Sequence, residues 1–337
     1  MNNKLKILDC TIRDGGYINN WNWSKKQVKE LYKTLLKSKI DYMEIGYRND
    51  LNMYDEENRK SKWIHTTDKM IYDTIGDVYN DNTKITIMVD YGKFDIKDFD
   101  KQSNTLISIV RVTFHKKDYQ KALKCIKKIK DLGYEVSANI MGIMMYNKEE
   151  RYNLYKLISN NNIDIIYIAD SYGSIKTNEL KKLILEIREY FQNFQPNYIY
   201  KLGFHAHNNI QRALMNSLLC IDMIDSTLYG LGRGPGNLCT ELIVSELSQL
   251  NYKYDEQCIF NCIEYISNNI NYKNNLWGYS IDYFMTGYFK IHSKYISTLK
   301  EKNINNIEKQ WNILKNISKT KKGNYFSLDL LEEFINK

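Results

Sequence analysis

Two short stretches hold the residue types best suited to chemistry. The first, Leu8-Asp9-Cys10-Thr11-Ile12-Arg13-Asp14-Gly15-Gly16-Tyr17, follows an apolar run at 5–8 and reads as a buried strand delivering charged groups into a loop. The Arg13 guanidinium can fix an anionic oxygen, Asp14 is a hard oxygen donor for a divalent cation, and Gly15 and Gly16 let backbone and ligand approach closely. The second, Phe204-His205-Ala206-His207-Asn208-Asn209, sets two imidazoles two residues apart, so on a strand both face the same side. With Asp14 they form a two-His, one-carboxylate donor set that leaves positions for water or substrate. Taken singly, each stretch has a plainer reading: an Arg-Asp pair beside a turn is often a surface ion pair, and His-x-His on a strand is more often structural. A site requires a fold that brings the two together.

Alternating strand and helix patterns supply one. Apolar strand runs fall at 5–8, 40–46, 84–89, 106–113, 134–141, 164–168, 200–207 and 223–228, and helical patterns at 118–132, 148–160, 178–194, 210–220 and 238–250. Ser24 caps a further helix with an apolar stripe of Val28, Leu31, Leu35 and Leu36, whereas 50–75 is less regular. Roughly eight such units over about 250 residues is the count and length of an α/β TIM (β/α)₈ barrel. A doubly wound sheet would need fewer strands and a Gly-x-Gly-x-x-Gly after the first, which is absent. Polar groups bunch where the strands end: Arg13 and Asp14, Glu44, Asp90, Arg111 and His115, Asn139, Asp170 and Ser171, His205 and His207, and Tyr229. In a barrel those ends converge on the face where active sites sit. After the eighth strand, Gly230-Leu231-Gly232-Arg233-Gly234-Pro235-Gly236-Asn237 opens a helix. Its N–H groups either cradle an anion or form a plain tight turn, and Asn237 offers a further carbonyl oxygen to a metal. The expected organisation is a catalytic barrel over 1–254 and a mostly helical region over 255–337 packing over the barrel mouth.

Composition narrows the function classes. Of 337 residues, 43% are apolar and 26% charged, ordinary for a globular chain with a sizeable core. The formal charge of +8 is spread along helical faces rather than clustered with aromatics, which argues against nucleic acid and for a solvated surface that favours anionic substrates. With no stretch of 18 apolar residues and no hydrophobic leader before the first strand, we expect no membrane and a cytoplasmic setting. The six cysteines make no Cys-x-x-Cys pair, and Cys258 and Cys262 stand one helical turn apart, so reduced core thiols are expected.

Thr11-Ile12-Arg13-Asp14-Gly15, His205-Ala206-His207-Asn208 and Gly230-Leu231-Gly232-x-Gly234-x-Gly236-Asn237, in this order and at this separation, resemble the DRE-TIM metallolyase superfamily. It includes 4-hydroxy-2-oxovalerate aldolase, 3-hydroxy-3-methylglutaryl-CoA lyase and the isopropylmalate and homocitrate synthases. Arg111-Val112-x-x-His115 and Ala169-Asp170-Ser171 are most similar to the 4-hydroxy-2-oxovalerate aldolase branch. The resemblance implies a divalent metal, Mn²⁺ or Mg²⁺, on Asp14, His205 and His207, chelating a 2-oxo acid such as pyruvate, with an aldehyde as the second substrate. Arg13 would stabilise the enolate oxygen and Ser171 would help seat the carboxylate. Glu44 and His115, at strand ends, join the expected catalytic set.

One departure stands out. At the position of Tyr17 the aldolases carry an acid–base His and many Claisen-type members carry Gln, so a substrate other than 4-hydroxy-2-oxovalerate is expected, with Tyr17 hydrogen-bonding or donating a proton. The aromatic segment Trp277-Gly278-Tyr279-Ser280-Ile281-Asp282-Tyr283-Phe284, followed by His292 and Tyr295, reads as helix-packing core. Related aldolases, however, place a C-terminal tyrosine over the active-site mouth from a similar Gly-x-Tyr-Ser segment, which makes Tyr283 or Tyr279, with His292, a candidate roof. The first reading is a metal-dependent carbon–carbon lyase or aldolase. A Claisen-type acyltransferase using acyl-CoA and a non-catalytic barrel in a complex are the alternatives, and a homo-oligomer or a partner enzyme is compatible with all three.

Overall fold

Eight strands close into one parallel ring in sequence order: β1 (Lys6–Asp9), β2 (Tyr42–Tyr47), β3 (Lys84–Asp90), β4 (Ile107–Phe114), β5 (Glu135–Met141), β6 (Ile165–Asp170), β7 (Lys201–Ala206) and β8 (Met223–Ser226). β1 completes the ring by pairing with β8, Lys6 opposite Met223 through Asp9 opposite Ser226. The computed structural model describes residues 5–54, 56, 61–219, 222–269, 277–320 and 322–336, so Cys220 lies outside the described residues. The expected TIM barrel is the observed one.

Short helical turns α1 (Thr11–Asp14) and α2 (Gly16–Asn19) follow β1, and α3 (Lys25–Lys37) follows them. Next come α4 (Asp68–Ile75), α5 (Tyr119–Lys130), α6 (Lys148–Asn160), α7 (Thr177–Phe194), α8 (Ala213–Ser217) and α9 (Thr240–Gln249). α3 starts where predicted: Ser24 Oγ accepts the Gln27 N–H while Gln27 Oε1 accepts the Ser24 N–H, two orphan donors satisfied at once. Its buried face is Val28, Leu31, Tyr32 and Leu35. α8 is shorter than the pattern at 210–220 suggested.

The expected loop after β1 is instead two short helical turns. Gly15 has helical φ −62°, and a Cβ there would run into the Thr11 carbonyl, as one on Gly16 would run into the Trp21 indole. Both glycines therefore serve the packing of their own turn rather than ligand approach. Trp21 Nε1 donates to Arg13 O at 2.6 Å and Trp23 Nε1 to Ile12 O at 3.1 Å, pinning the turn that carries the Arg-Asp pair.

The barrel lumen is layered, because residues two apart on a strand share a face and alternate strands contribute to one level. Tyr42, Ile109, Ile165 and Met223, from β2, β4, β6 and β8, form an apolar level with Leu8 and Cys10. Two residues further along the same strands come Glu44, Arg111, Tyr167 and Asp225, all fully buried or nearly so. Gly203 leaves the space that the Tyr167 ring fills.

The remaining helices are α10 (Glu256–Asn269), α11 (Ile281–Tyr288), α12 (Lys294–Glu301), α13 (Ile307–Lys319) and α14 (Leu328–Ile335). α10 packs on α3 and α9, and its Ile259, Cys262 and Ile266 join the barrel core. In packing terms the appendage thus begins after α10, later than the boundary at 255. α11 to α14 bury a core of their own, with Met285, Tyr295, Leu299, Leu314 and Leu331 at its centre. That unit docks on the barrel mouth through Asn209 Nδ2, which donates to Tyr283 O (3.1 Å) and Thr286 Oγ1 (3.2 Å), and through Tyr172 Oη, which donates to Asn324 O (2.7 Å). No helix among the described residues is long and apolar enough to cross a membrane.

Candidate active site

At the C-terminal ends of the strands, six charged or titratable side chains close into a ring. Arg13 Nε donates to Glu44 Oε2 (2.6 Å), and Glu44 Oε1 accepts from Arg111 Nη1 (2.8 Å). Arg111 Nη2 donates to Asp225 Oδ2 (2.5 Å), which also faces His205 Nδ1 at 3.0 Å. His205 Nε2 lies 3.2 Å from Asp14 Oδ2, and Asp14 Oδ1 lies 3.1 Å from Arg13 Nη1. Tyr167 supports the ring twice, donating its hydroxyl to Asp225 Oδ1 at 2.6 Å and setting its face 4.3 Å from the Arg111 guanidinium. Each buried charge thus meets an opposite one, the condition under which burial is tolerated.

Three donor groups converge at the open end of this ring. One ligand atom each from Asp14, His205 and His207 lie within 4.8 Å of one another, and the two imidazoles meet edge to face, 5.0 Å between centroids. With Nδ1 engaged by Asp225, a neutral His205 turns the lone pair of Nε2 toward a carboxylate oxygen that makes no hydrogen bond. Two acceptors face each other there, an arrangement that a cation between them resolves and that matches the carboxylate–histidine–metal pattern. Asn237 is bridged to His207 through the backbone, donates Nδ2 to Leu231 O at 2.9 Å and keeps a buried Oδ1 without a partner. The residues therefore fit a divalent cation.

Protonation follows burial and neighbours. Burial raises the Asp14 carboxyl, but the Arg13 guanidinium and the histidines more than offset it, so Asp14 stays ionised. Burial depresses His205, and the carboxylates of Asp14 and Asp225 reverse the sign to a net rise. His207, with burial dominant, is pushed down to about 3, so its imidazole is neutral near neutral pH and free to offer a lone pair. Asp170 is raised to about 6 by burial; it accepts the N–H groups of Ser174 and Ile175 at 2.9 and 3.0 Å and so shapes the loop that begins with Ser171.

A cavity of about 370 Å³ opens above the ring, and its wall includes Arg13, Asp14, Tyr17, His115, Ser171, His205, His207 and His292. Eight of the residues expected to take part in the chemistry are thus gathered in one space, with Asp90 and Asn139 from the strand ends beside them. Three stand off that wall. Glu44 lies beneath it with both oxygens given to arginines, which makes it a positioning group for Arg13. Asn237 is not on that wall and lines a neighbouring pocket instead. The Tyr283 ring packs on Gly234, and its carbonyl accepts from Asn209; of the roof candidates it is His292 that reaches the cavity.

Sequence reasoning overlooked Asp225, Tyr47, Lys93 and Arg233. Tyr47 Oη is 3.4 Å from Tyr17 Oη, and Lys93 and Arg233 line the same cavity. Asp225 carried a readable signal, an acid two residues after Met223 in an apolar strand run. Arg233 carried none beyond its place in the glycine-rich loop.

A parallel (β/α)₈ barrel with a two-His, one-carboxylate donor set and a buried guanidinium at its strand ends defines the class: a barrel enzyme equipped to hold a divalent cation beside an anionic oxygen. The HMGL-like family profile matches residues 4–270, and the chain belongs to the HMGL-like family. It resembles 4-hydroxy-2-oxovalerate aldolase of Carboxydothermus hydrogenoformans, 27% identical over 257 residues covering 75% of this chain and 73% of that one. The same enzyme of Bacillus cereus is 24% identical over 255 residues, 74% and 72% of the two chains. Among solved structures, the N-terminal domain of a Bacteroides vulgatus protein provisionally titled an aldolase superposes with a TM-score of 0.76 at 29% identity, covering 90% of this chain and 99% of that one. The chain is an enzyme of the aldolase and lyase type, in a family that is divalent-metal-dependent.

Proposed function

We propose that the enzyme makes or breaks a carbon–carbon bond between a 2-oxo acid of the pyruvate type and an aldehyde, through the enolate of the 2-oxo acid. One observation carries the reading: Arg13 gives Nε and Nη1 to carboxylates and keeps a buried Nη2 without a partner, on the same cavity wall as the Asp14, His205 and His207 donor set. A divalent cation, Mn²⁺ or Mg²⁺, supplies Lewis-acid polarisation of the 2-oxo acid carbonyl when bound there. Arg13 Nη2 then meets charge that develops only as C3 loses its proton, the situation in which a fixed donor accelerates chemistry most.

Ser171, on the same wall, seats the carboxylate of the 2-oxo acid. His292 Nδ1 accepts the Lys294 N–H at 3.0 Å, so its proton sits on Nε2, and burial lowers its pKa to about 4. It serves as a neutral donor at the roof. His115, lowered by burial, is the neutral imidazole available to accept a proton. Tyr17 stands where the 4-hydroxy-2-oxovalerate aldolases carry an acid–base histidine and lies 3.4 Å, hydroxyl to hydroxyl, from Tyr47, which is why the acceptor differs from theirs. A cytoplasmic setting belongs to the same proposal, supported by the free thiols of Cys10, Cys125, Cys239, Cys258 and Cys262.

The test is deuterium exchange at C3 of pyruvate and related 2-oxo acids, followed by NMR in D₂O. Exchange is expected with Mn²⁺ and is expected to stop in excess EDTA. Exchange that ignores the cation, or no exchange with any 2-oxo acid tried, overturns the reading.

A further inference from the structure

Of the three side-chain cations on the cavity wall, two are held by carboxylates and one is not. Arg13 is bound by Glu44 and Asp14, and Lys93 by Asp90 at 3.0 Å. Arg233 forms no ion pair among the described residues; its guanidinium lies 5.3 Å from the centroid of the Tyr17 ring. The loop behind it is rigid in the sense that matters: Gly230, Gly234 and Gly236 hold positive φ, and residues 230–232 and 234–238 are buried, leaving the Arg233 side chain exposed to the cavity. Among the described residues, the one acid on the wall outside an ion pair, Asp118, follows β4 close in sequence to His115, and β4 stands opposite β8 in the eight-strand ring. The β8 side of the mouth therefore presents an uncompensated positive charge.

Resting on the reading proposed above, we infer that Arg233 is a specificity-determining residue that recognises an anionic group, carboxylate or phosphate, carried by the aldehyde substrate. A guanidinium on an aromatic face is pre-oriented for a planar two-point contact with either group. The aldol step itself is unchanged: C3 of the 2-oxo acid loses a proton and bonds to the aldehyde carbon, whose oxygen gains a proton, giving a 4-hydroxy-2-oxo acid with no change in overall oxidation level. The anion sits at the far end of the acceptor, beside Tyr17 and away from the reacting carbon. This also gives a physical reason for a tyrosine at position 17: its ring orients the cation.

The experiment compares pairs of aldehydes matched in length, with pyruvate and Mn²⁺: succinic semialdehyde against butanal, and glyceraldehyde 3-phosphate against glyceraldehyde. The wild type is expected to prefer at least one anionic partner by about 10-fold to 100-fold in kcat/KM, the range of one charged hydrogen-bonding contact. The pair with the larger ratio identifies the anion as carboxylate or phosphate. Arg233→Gln should collapse that ratio and Arg233→Lys should restore much of it. Because each ratio is taken within one preparation, loss of folded enzyme cancels. Ratios near one in the wild type, or a ratio that survives Arg233→Gln, overturn the inference even if C3 exchange is normal. An equal rise in the pyruvate KM with every aldehyde also overturns it, by moving Arg233 to the 2-oxo acid. If C3 exchange is absent in the wild type, the underlying reading fails and this inference fails with it.

Discussion

At the floor of the cavity, Arg13, Glu44, Arg111 and Asp225, from the turn after β1 and from β2, β4 and β8, are sealed from water and joined carboxylate to guanidinium. At the roof, His292 stands at the start of α12 on a unit with its own apolar core, attached to the barrel by a few hydrogen bonds and the exposed pair Lys290–Glu179. The floor fixes positions by mutual charge compensation, and any one group depends on all the others. The roof fixes position by apolar packing that does not involve the site. The first kind of support suits groups that must hold a fixed charge geometry, and the second holds His292 over the cavity without tying it to the ring.

The comparison is broken most directly at Arg111. Arg111→Met should cost about 3–5 kcal/mol of stability, the usual penalty for stranding a buried partner, because it leaves Glu44 and Asp225 uncompensated; a shift in the urea midpoint at constant slope measures it. Next, Arg13→Lys keeps the charge but loses the fork, so kcat should fall by about 10² to 10³, with a much smaller change in the urea midpoint. An equal loss in stability would put Arg13 among the scaffolding alone.

The two imidazoles sharpen the picture through pH. His205 is raised above its ordinary value, so below its folded pKa a proton on Nε2 competes with the cation, whereas His207 at about 3 does not compete. Apparent Mn²⁺ affinity should rise about tenfold per pH unit below the His205 pKa and level off above it, as titration calorimetry at several pH values would show. In the cation-free protein the same group contributes stability at low pH that fades as pH rises through that pKa. The smallest effect is expected at the roof: Lys290→Ala removes an exposed pair and should cost no more than about 1 kcal/mol, measured in the same urea assay.

Much of this was legible because barrels convert sequence order into space. Polar residues closing apolar strand runs, such as Asp14, Ser171 and His205, fall on one face by the period of the strand alone. What escaped were relations across the ring. Asp225 and Arg111 sit on opposite sides of the lumen, and no local spacing says that one arginine bridges Glu44 and Asp225. Nor does spacing say whether an aromatic near the mouth points inward. Tyr283 packs on Gly234, and His292 takes the inward place because α11 and α12 meet at a turn just before it. The glycine pair after β1 was read for its freedom, when its lack of a Cβ beside Thr11 and Trp21 was the property used.

The closed ring of charges has a consequence for how such an enzyme can change. Its two arginines are each held between carboxylates, and its members come from β2, β4, β7 and β8 and the turn after β1, so a single substitution at a charged member leaves another unbalanced. Viable routes through sequence space must therefore replace ring members in compensating pairs or leave them alone. Residues at the rim, Arg233 and Tyr17 among them, carry no such bookkeeping. On the function proposed above, a lineage built on this barrel is free to explore new aldehydes one substitution at a time while the charged floor stays locked.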